Sequence, residues 1–432
     1  MRFVSTRGTA PPVSLSEALS QGLAPDGGLY LPECWPAPEL DGRPLGLVEA
    51  GVRVLRGFFA GDRLEGQLPS ICREALDLPA PVVPTRDPGL FLLELFHGPT
   101  AAFKDFAARF LAACLARLRQ PGDPLLTILV ATSGDTGGAV AAAFHRRPGF
   151  RVVVLYPDGK VSPRQAHQLG AFGDNVHTFR VAGSFDDCQA MVKAALGDPA
   201  LRARMALSSA NSISLGRLLP QMSYYAAAAL RWQAVHGRPA HFVVPTGNLG
   251  NALAALLARR LGLPIGEVVL ATNANRVLPD LLRTGRYQPR PSIPTLANAM
   301  DVGAPSNLER LRALHPELAD LRAQVHADSA DDATIRRVLR ESEARYGTAV
   351  CPHTAAAIAV AERLRAAGRG GPWIVAATAH PAKFDTVVEP CLGHPVEVPP
   401  ALAALLARPS RAQPLAASPA CLKAVLATDL SD

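Results

Sequence analysis

The chain has 432 residues, 48% hydrophobic and 19% charged, enough for a large core and for more than one domain. Its net charge is +7, but the arginines are scattered, with no basic run and no interleaved aromatics; this argues against a nucleic-acid partner and for a slightly basic enzyme that handles anions. No apolar run reaches the roughly 18 residues of a bilayer span, and the opening MRFVSTRGTAPPVSLSEAL lacks the basic-then-apolar order of a secretory signal, so a cytoplasmic protein is expected.

In chain order, residues 1 to about 80 are rich in Pro, Gly and Leu, with a helical stretch at Leu47–Phe59. Residues 91–96 (FLLELF) read as a buried strand. Residues 102–118 follow with Phe103, Phe106, Phe110, Cys114 and Leu118 at helical period. Strand-like runs are then expected at 127–131, 152–156, 176–181, 241–244, 268–271 and 373–376. Helix-like stretches separate most of them, as at 189–196, 218–235 and 252–261. That alternation predicts α/β domains built on parallel sheets with helices on their faces. Residues 279–333 are interrupted by prolines and read as an irregular insertion, with a closing element over the site one option. Beyond Pro390 the chain is rich in Pro and Ala, and a peripheral tail is expected.

The seven cysteines are odd in number and contain no CxxC pair. A disulfide framework and a structural zinc site are not expected, nor is any other metal. Lysine is scarce. Only Lys104, Lys160, Lys193, Lys383 and Lys423 occur among 44 basic residues, so a lysine in an apolar setting stands out.

Two loops echo each other. TILVATSGDTGGAVAAAF carries Ser133, Gly134, Asp135, Thr136, Gly137 and Gly138 between a strand and a helix. HFVVPTGNLGNALAALL carries Thr246, Gly247, Asn248, Leu249, Gly250 and Asn251 in the same place. Where a parallel strand ends and a helix begins, free amides and the positive end of the helix dipole converge. Glycine lets that backbone approach an anion. Each loop therefore reads as an anion site, or more plainly as a tight turn. Neither matches the nicotinamide fingerprint GxGxxG or the nucleotide P-loop.

HGPTAAFKDF places Lys104 at the start of an apolar helix, flanked by Phe103 and Phe106. The helix dipole and burial both favour its neutral amine, the form that builds a Schiff base and moves protons. A lysine whose stem lies on apolar surface with its charge in water is the alternative.

These residues resemble a known family. HGPTAAFKDFAARF looks like the cofactor-lysine segment of the threonine synthases, pyridoxal 5'-phosphate enzymes of the tryptophan-synthase-β-like fold (fold type II). STRG, LAPDGGLYLPE, TSGDTGGAV, SSANSISLGRLLPQMSYY, VPTGNLGN, TNANRVL, PSNLERL, CPHTAAAIA and TAHPAKF follow the family's order from about residue 3 to 390.

The resemblance implies a small N-terminal domain at 1–85, a catalytic region at 86–395 with a smaller subdomain around 100–215, and a tail at 396–432. It implies that Lys104 carries the cofactor as a Schiff base and that Gly247, Asn248, Leu249, Gly250 and Asn251 cradle its phosphate. Asp135 falls where related enzymes carry an Asn facing the ring hydroxyl, and Thr378 would meet the pyridine nitrogen. Ser133 and Thr136 would bind the substrate carboxylate. Asn211, Ser212 and Arg217, with Lys383 second, are candidates for the substrate phosphate; helix capping and a surface arginine are their plainer readings.

The implied reaction turns O-phospho-L-homoserine and water into L-threonine and phosphate. No nucleic acid, membrane or obligate protein partner is implied. The rivals are a phospho-lyase that releases 2-oxobutanoate, ammonia and phosphate, and a regulatory protein that keeps the fold without turnover. Two departures stand out: Ser214 where many members carry Asn, and a tail after residue 400 without an evident counterpart.

Overall fold

Runs of Val, Ile and Leu become strands buried on both faces, as a sheet with helices on either side requires. The computed structural model describes residues 1–427. Strands β1 (Phe3–Ser5) and β2 (Tyr30–Pro32) pair antiparallel near the N-terminus. Strands β3 (Val82–Pro84) and β4 (Leu90–Glu94) form a second antiparallel pair. Next come β5 (Leu126–Ala131), β6 (Phe150–Pro157), β7 (Val176–Ala182) and β8 (Ala206–Ser209), all parallel. The chain continues through β9 (Ala240–Pro245), β10 (Ile265–Thr272), β11 (His326–Ser329) and β12 (Trp373–Ala377), and ends its strands with β13 (Gln413–Ala416). Two large sheets result, with strand orders 11-10-9-12-4-3 and 13-7-6-5-8.

Each expected strand lies on an observed one, and the helix at Leu47–Phe59 keeps its bounds. The helix expected at 102–118 begins at Lys104. The one expected at 218–235 breaks into Leu215–Leu218, a 3-10 turn at Leu219–Gln221 and Met222–His236. Pro220, which has no N–H to donate, sits at the break.

Two expectations need correction. Residues 279–333 are not an irregular insertion throughout. They hold helices Leu308–Leu314 and Leu318–Gln324, and β11, which pairs in parallel with β10 at the sheet edge. Irregular chain lies mainly at 286–297, around Pro289, Pro291 and Pro294, and at 301–307. The segment 396–432 is not a peripheral tail either. Strand β13 adds to β7 in parallel, and helix Pro419–Ala427 packs on helix Phe185–Leu196. Leu402, Leu422 and Leu426 are buried there; composition hid them because they are spaced among alanines. Residues 428–432 of that segment lie outside the described residues.

Among the described residues no helix is long and apolar enough to cross a membrane, and no cluster of His, Cys, Asp or Glu could hold a metal.

The positioning of the site follows from the sheets. Strand β5 runs into helix Asp135–Phe144 and β9 into helix Gly250–Arg260, so both glycine loops lie at carboxyl ends of parallel strands. Ligands bind at such edges in α/β folds. Strand β12 ends at the segment that leads to Lys104: Phe103 N donates to Thr378 O (2.8 Å) and His380 N to Ala101 O (3.0 Å). The start of helix Lys104–Leu118 is thereby tied to Thr378.

Candidate active site

A cavity of about 970 Å³ collects most of the residues singled out above. Lys104, Ser133, Asp135, Thr136, Asn211, Ser212, Arg217, Thr378 and the whole loop 247–251 line it. That volume holds a cofactor and a small substrate together.

Lys104 opens its helix, with Phe103 as the preceding cap residue. Its side chain is half-buried, and what remains accessible belongs to the cavity wall. Burial pushes its pKa down to about 8; Asp135 opposes that shift, while Arg217 and Lys383 reinforce it. The amine is thus neutral far more readily than an ordinary lysine near 10.4. Its Nζ lies 5.1 Å from the centre of the Phe103 ring.

The loop after β9 is a cradle of unused donors. Helix Gly250–Arg260 starts inside it, so amides in its first turn have no acceptor one turn earlier. Leu249 adopts a left-handed φ of 66°, which reverses the chain just ahead of the helix. Gly247 has no room for a side chain, because a Cβ there would lie 2.9 Å from Met300 Cα. Asn307 Nδ2 donates to Asn248 O (3.0 Å) and fixes the peptide from outside. Asn251 accepts from the Tyr224 and Tyr225 hydroxyls through Oδ1 (2.7 and 2.9 Å), yet its Nδ2 is buried without a partner. Thr246 Oγ1 is orphaned as well. Buried polar atoms are normally satisfied, so these donors mark where an anion belongs.

The loop after β5 differs. Thr132 Oγ1 accepts from Gly134 N (3.0 Å) and Gly137 N (2.8 Å), so two of its amides are spent internally. Asp135 adds a charge. Burial opposes its ionisation, but Lys383 and then Lys104 hold its carboxyl well below the usual range. Those two amides are therefore not free for an anion, and Ser133 and Thr136 are the hydroxyl donors that the loop presents at this wall.

Arg217 is buried beside it. Nη1 donates to Ala210 O, Nε has no partner, and no ion-pair partner is found among the described residues. Burial pulls its pKa down to about 10, so it stays a cation at neutral pH. Asn211 Oδ1 and Ser214 Oγ nearby are also unsatisfied. Arg217 is thus not the surface arginine of the plainer reading. Lys383, in contrast, does not line the cavity. Its ammonium is locked against Asp135 Oδ1 (2.8 Å) and Thr100 O (2.6 Å), so it is unavailable to a substrate phosphate.

Sequence reasoning missed His353. It lines the cavity, accepts from Ala299 N through Nε2 (3.1 Å), and burial pushes its pKa down to about 4, which keeps it neutral. CPHTAAAIA was the available signal, since Pro352 opens the helix Pro352–Ala366 that presents it.

A family model described as pyridoxal-phosphate dependent enzyme matches residues 77–379. The fold and the cavity are accordingly those of a fold type II pyridoxal-phosphate enzyme. Models described as the threonine synthase N terminus and the threonine synthase C-terminal part match residues 2–76 and 354–426. A threonine synthase of Haemophilus influenzae is 40% identical over 90% of this chain and 91% of its own, and one of Escherichia coli is 39% identical with the same coverage. The crystal structure of threonine synthase from Escherichia coli superposes with a TM-score of 0.91 at 37% identity, covering 99% of each chain. A pyridoxal-phosphate-bound threonine synthase from Brucella melitensis gives 0.88 at 36%, covering 99% of this chain and 98% of its own. The chain belongs to the threonine synthase family, pyridoxal-phosphate-dependent lyases of threonine biosynthesis. The match to residues 354–426 also gives the C-terminal segment the counterpart it lacked.

The residues fit the cofactor: a desolvated amine and a loop of orphaned donors share one cavity. Gly247→Ala is expected to weaken cofactor binding about tenfold, equivalent to about 1.4 kcal/mol, because the new methyl group displaces the loop from Met300. Spectroscopic titration of the cofactor-free variant measures it.

Proposed function

We propose that this enzyme converts O-phospho-L-homoserine and water into L-threonine and phosphate. The observation that carries the reading is Lys104, an amine poised near neutrality in the same cavity as the donor loop 247–251. When bound, pyridoxal 5'-phosphate supplies an acceptor for the electrons released as a proton leaves the carbon bearing the substrate amine.

Lys104 would hold the cofactor through its amine. The same amine, when free, would take the α-proton, move the β-proton and return a proton to the α-carbon. Its pKa of about 8 suits both directions of transfer. Gly247, Asn248, Leu249, Gly250 and Asn251 would hold the cofactor phosphate, Thr378 would serve the ring nitrogen and Asp135 the ring hydroxyl. Ser133 and Thr136 take the substrate carboxylate. Arg217, with Asn211 and Ser212, takes the substrate phosphate, which departs from the γ-carbon before water adds at the β-carbon. A buried cation with no ion-pair partner among the described residues supports that assignment. The same reading places the enzyme in the cytoplasm, without need of nucleic acid, membrane or obligate protein partner. It keeps 1–85 as an N-terminal unit and 86–395 as the catalytic region, with the C-terminal segment joined to the smaller sheet.

Incubation with O-phospho-L-homoserine is expected to yield threonine and phosphate in equal amounts. Abundant 2-oxobutanoate with no threonine overturns the reading in favour of a phospho-lyase.

The amine also sets a pH dependence. Below about 8 it is protonated and inert; above, it is neutral. Capture of pyridoxal phosphate by cofactor-free protein should therefore accelerate through pH 8 and level off. An ordinary lysine would keep gaining rate towards about 10.4. Stopped-flow absorbance distinguishes the two.

A further inference from the structure

Lys383 and Asp135 form an ion pair sealed from bulk water, with side chains only 1% and 4% exposed. A buried pair of this kind is commonly no more stabilising than well-packed apolar residues, so stability alone does not account for it. Both protein bonds to the carboxylate fall on the same oxygen: Lys383 Nζ at 2.8 Å and Gln165 Nε2 at 3.0 Å reach Oδ1. Among the described residues nothing bonds Oδ2, and Asp135 lines the cavity that holds Lys104. The lysine is itself fixed from behind, because it also donates to Thr100 O, and Thr100 is bonded to Asp105 in the first turn of the Lys104 helix.

We propose that Lys383 is a positioning residue. By pairing with Oδ1 it keeps Asp135 a carboxylate whose free Oδ2 accepts the hydrogen bond of the cofactor's ring hydroxyl. This rests on the reading above that the ring hydroxyl meets Asp135. An ionised carboxylate can only accept, so the ring oxygen must donate; a protonated carboxyl or an amide could impose the opposite arrangement.

The other charged and titratable groups around Asp135 do not replace Lys383. Lys104, from its own helix, would be joined to the cofactor in the loaded enzyme and so would not be free to take the place of Lys383 at Oδ1. His353 and the Cys351 thiol face Asp135 from helix Pro352–Ala366 and its cap. His353 is neutral, and burial raises the Cys351 thiol, so neither brings a positive charge. Arg217 donates to Ala210 O and makes no ion pair with Asp135 among the described residues. Among the described residues Lys383 is the one cation that bonds the Asp135 carboxylate at Oδ1. Without it, burial would push the Asp135 carboxyl up, towards its protonated form.

The test uses holoenzyme and follows the visible absorption band across roughly pH 6 to 9, where a displaced buried carboxyl would titrate. Lys383→Met should show a pH-dependent shift of the band that wild type lacks. Asp135→Asn combined with Lys383→Met removes both charges and should lose that added titration. Should Lys383→Met alone fail to fold, the paired variant is expected to fold, since neither charge is left stranded. The proposal is overturned by a Lys383→Met band as flat as wild type, by a titration that persists in the paired variant, or by a paired variant as unstable as the single one. A wild-type protein with no band attached to Lys104 would instead overturn the cofactor reading beneath it.

Discussion

Lys104→Ala is expected to lower turnover about 10⁴-fold while leaving the fold intact. On the proposed reading the substitution removes both the covalent hold on the cofactor and the amine that carries protons. It leaves the helix start undamaged, because alanine is the strongest helix former and Lys104 is the first helical residue. What the fold loses is the contact over the Phe103 ring, worth about 1 kcal/mol. Cofactor can still dock at the 247–251 loop, so the variant should retain weak, non-covalent binding. Steady-state assay with thermal denaturation checks both halves. Turnover within tenfold of wild type would show that another group carries the chemistry.

The second large effect is on stability. Arg310 is fully buried and joins three separate parts of the chain. Its guanidinium donates to Tyr30 O (3.0 Å) in the N-terminal strand pair, to Ile213 O (2.7 Å) in the segment beside Arg217, and to Asn307 Oδ1 (2.7 Å). Asn307 in turn donates to Ser212 O (3.3 Å) and Asn248 O (3.0 Å), so the same knot reaches the 247–251 loop. Arg310→Met strands three acceptors, each costing about 1–3 kcal/mol, and recovers part of the cost of burying an unpaired cation. The net loss is expected at about 3–5 kcal/mol, read from chemical denaturation. Arg310→Lys should recover little, because an ammonium cannot span three acceptors held in a planar fork. Cofactor affinity should fall with stability, since Asn248 loses its brace. A stable Arg310→Met variant with normal cofactor affinity would mean that the loops hold themselves.

Much of this was legible before any coordinates. Hydrophobic runs ending in small polar loops located the strands, because a strand buried on both faces must be apolar and its turn into a helix must be tight. Lys104 was legible because lysine is scarce and its surroundings are apolar. What stayed hidden is what folding brings together. The Lys383–Asp135 pair joins the chain before helix Asp385–Leu392 to the start of helix Asp135–Phe144, and no local pattern announces it. Lys383 therefore read as a free cation for a substrate. Arg310 lay within a recognisable motif, PSNLERL, but its partners sit on Tyr30 and Ile213. Strand β13 was missed for another reason. An edge strand of four residues, Gln413–Ala416, carries too little apolar signal among prolines and alanines.

The most direct test of the account is borohydride reduction of the holoenzyme followed by peptide mass mapping. The chain has five lysines, so the outcome is unambiguous. The account predicts one pyridoxyl-phosphate adduct, on Lys104, and loss of the yellow colour with its formation. An adduct on Lys383, Lys160, Lys193 or Lys423, or none at all, would contradict it.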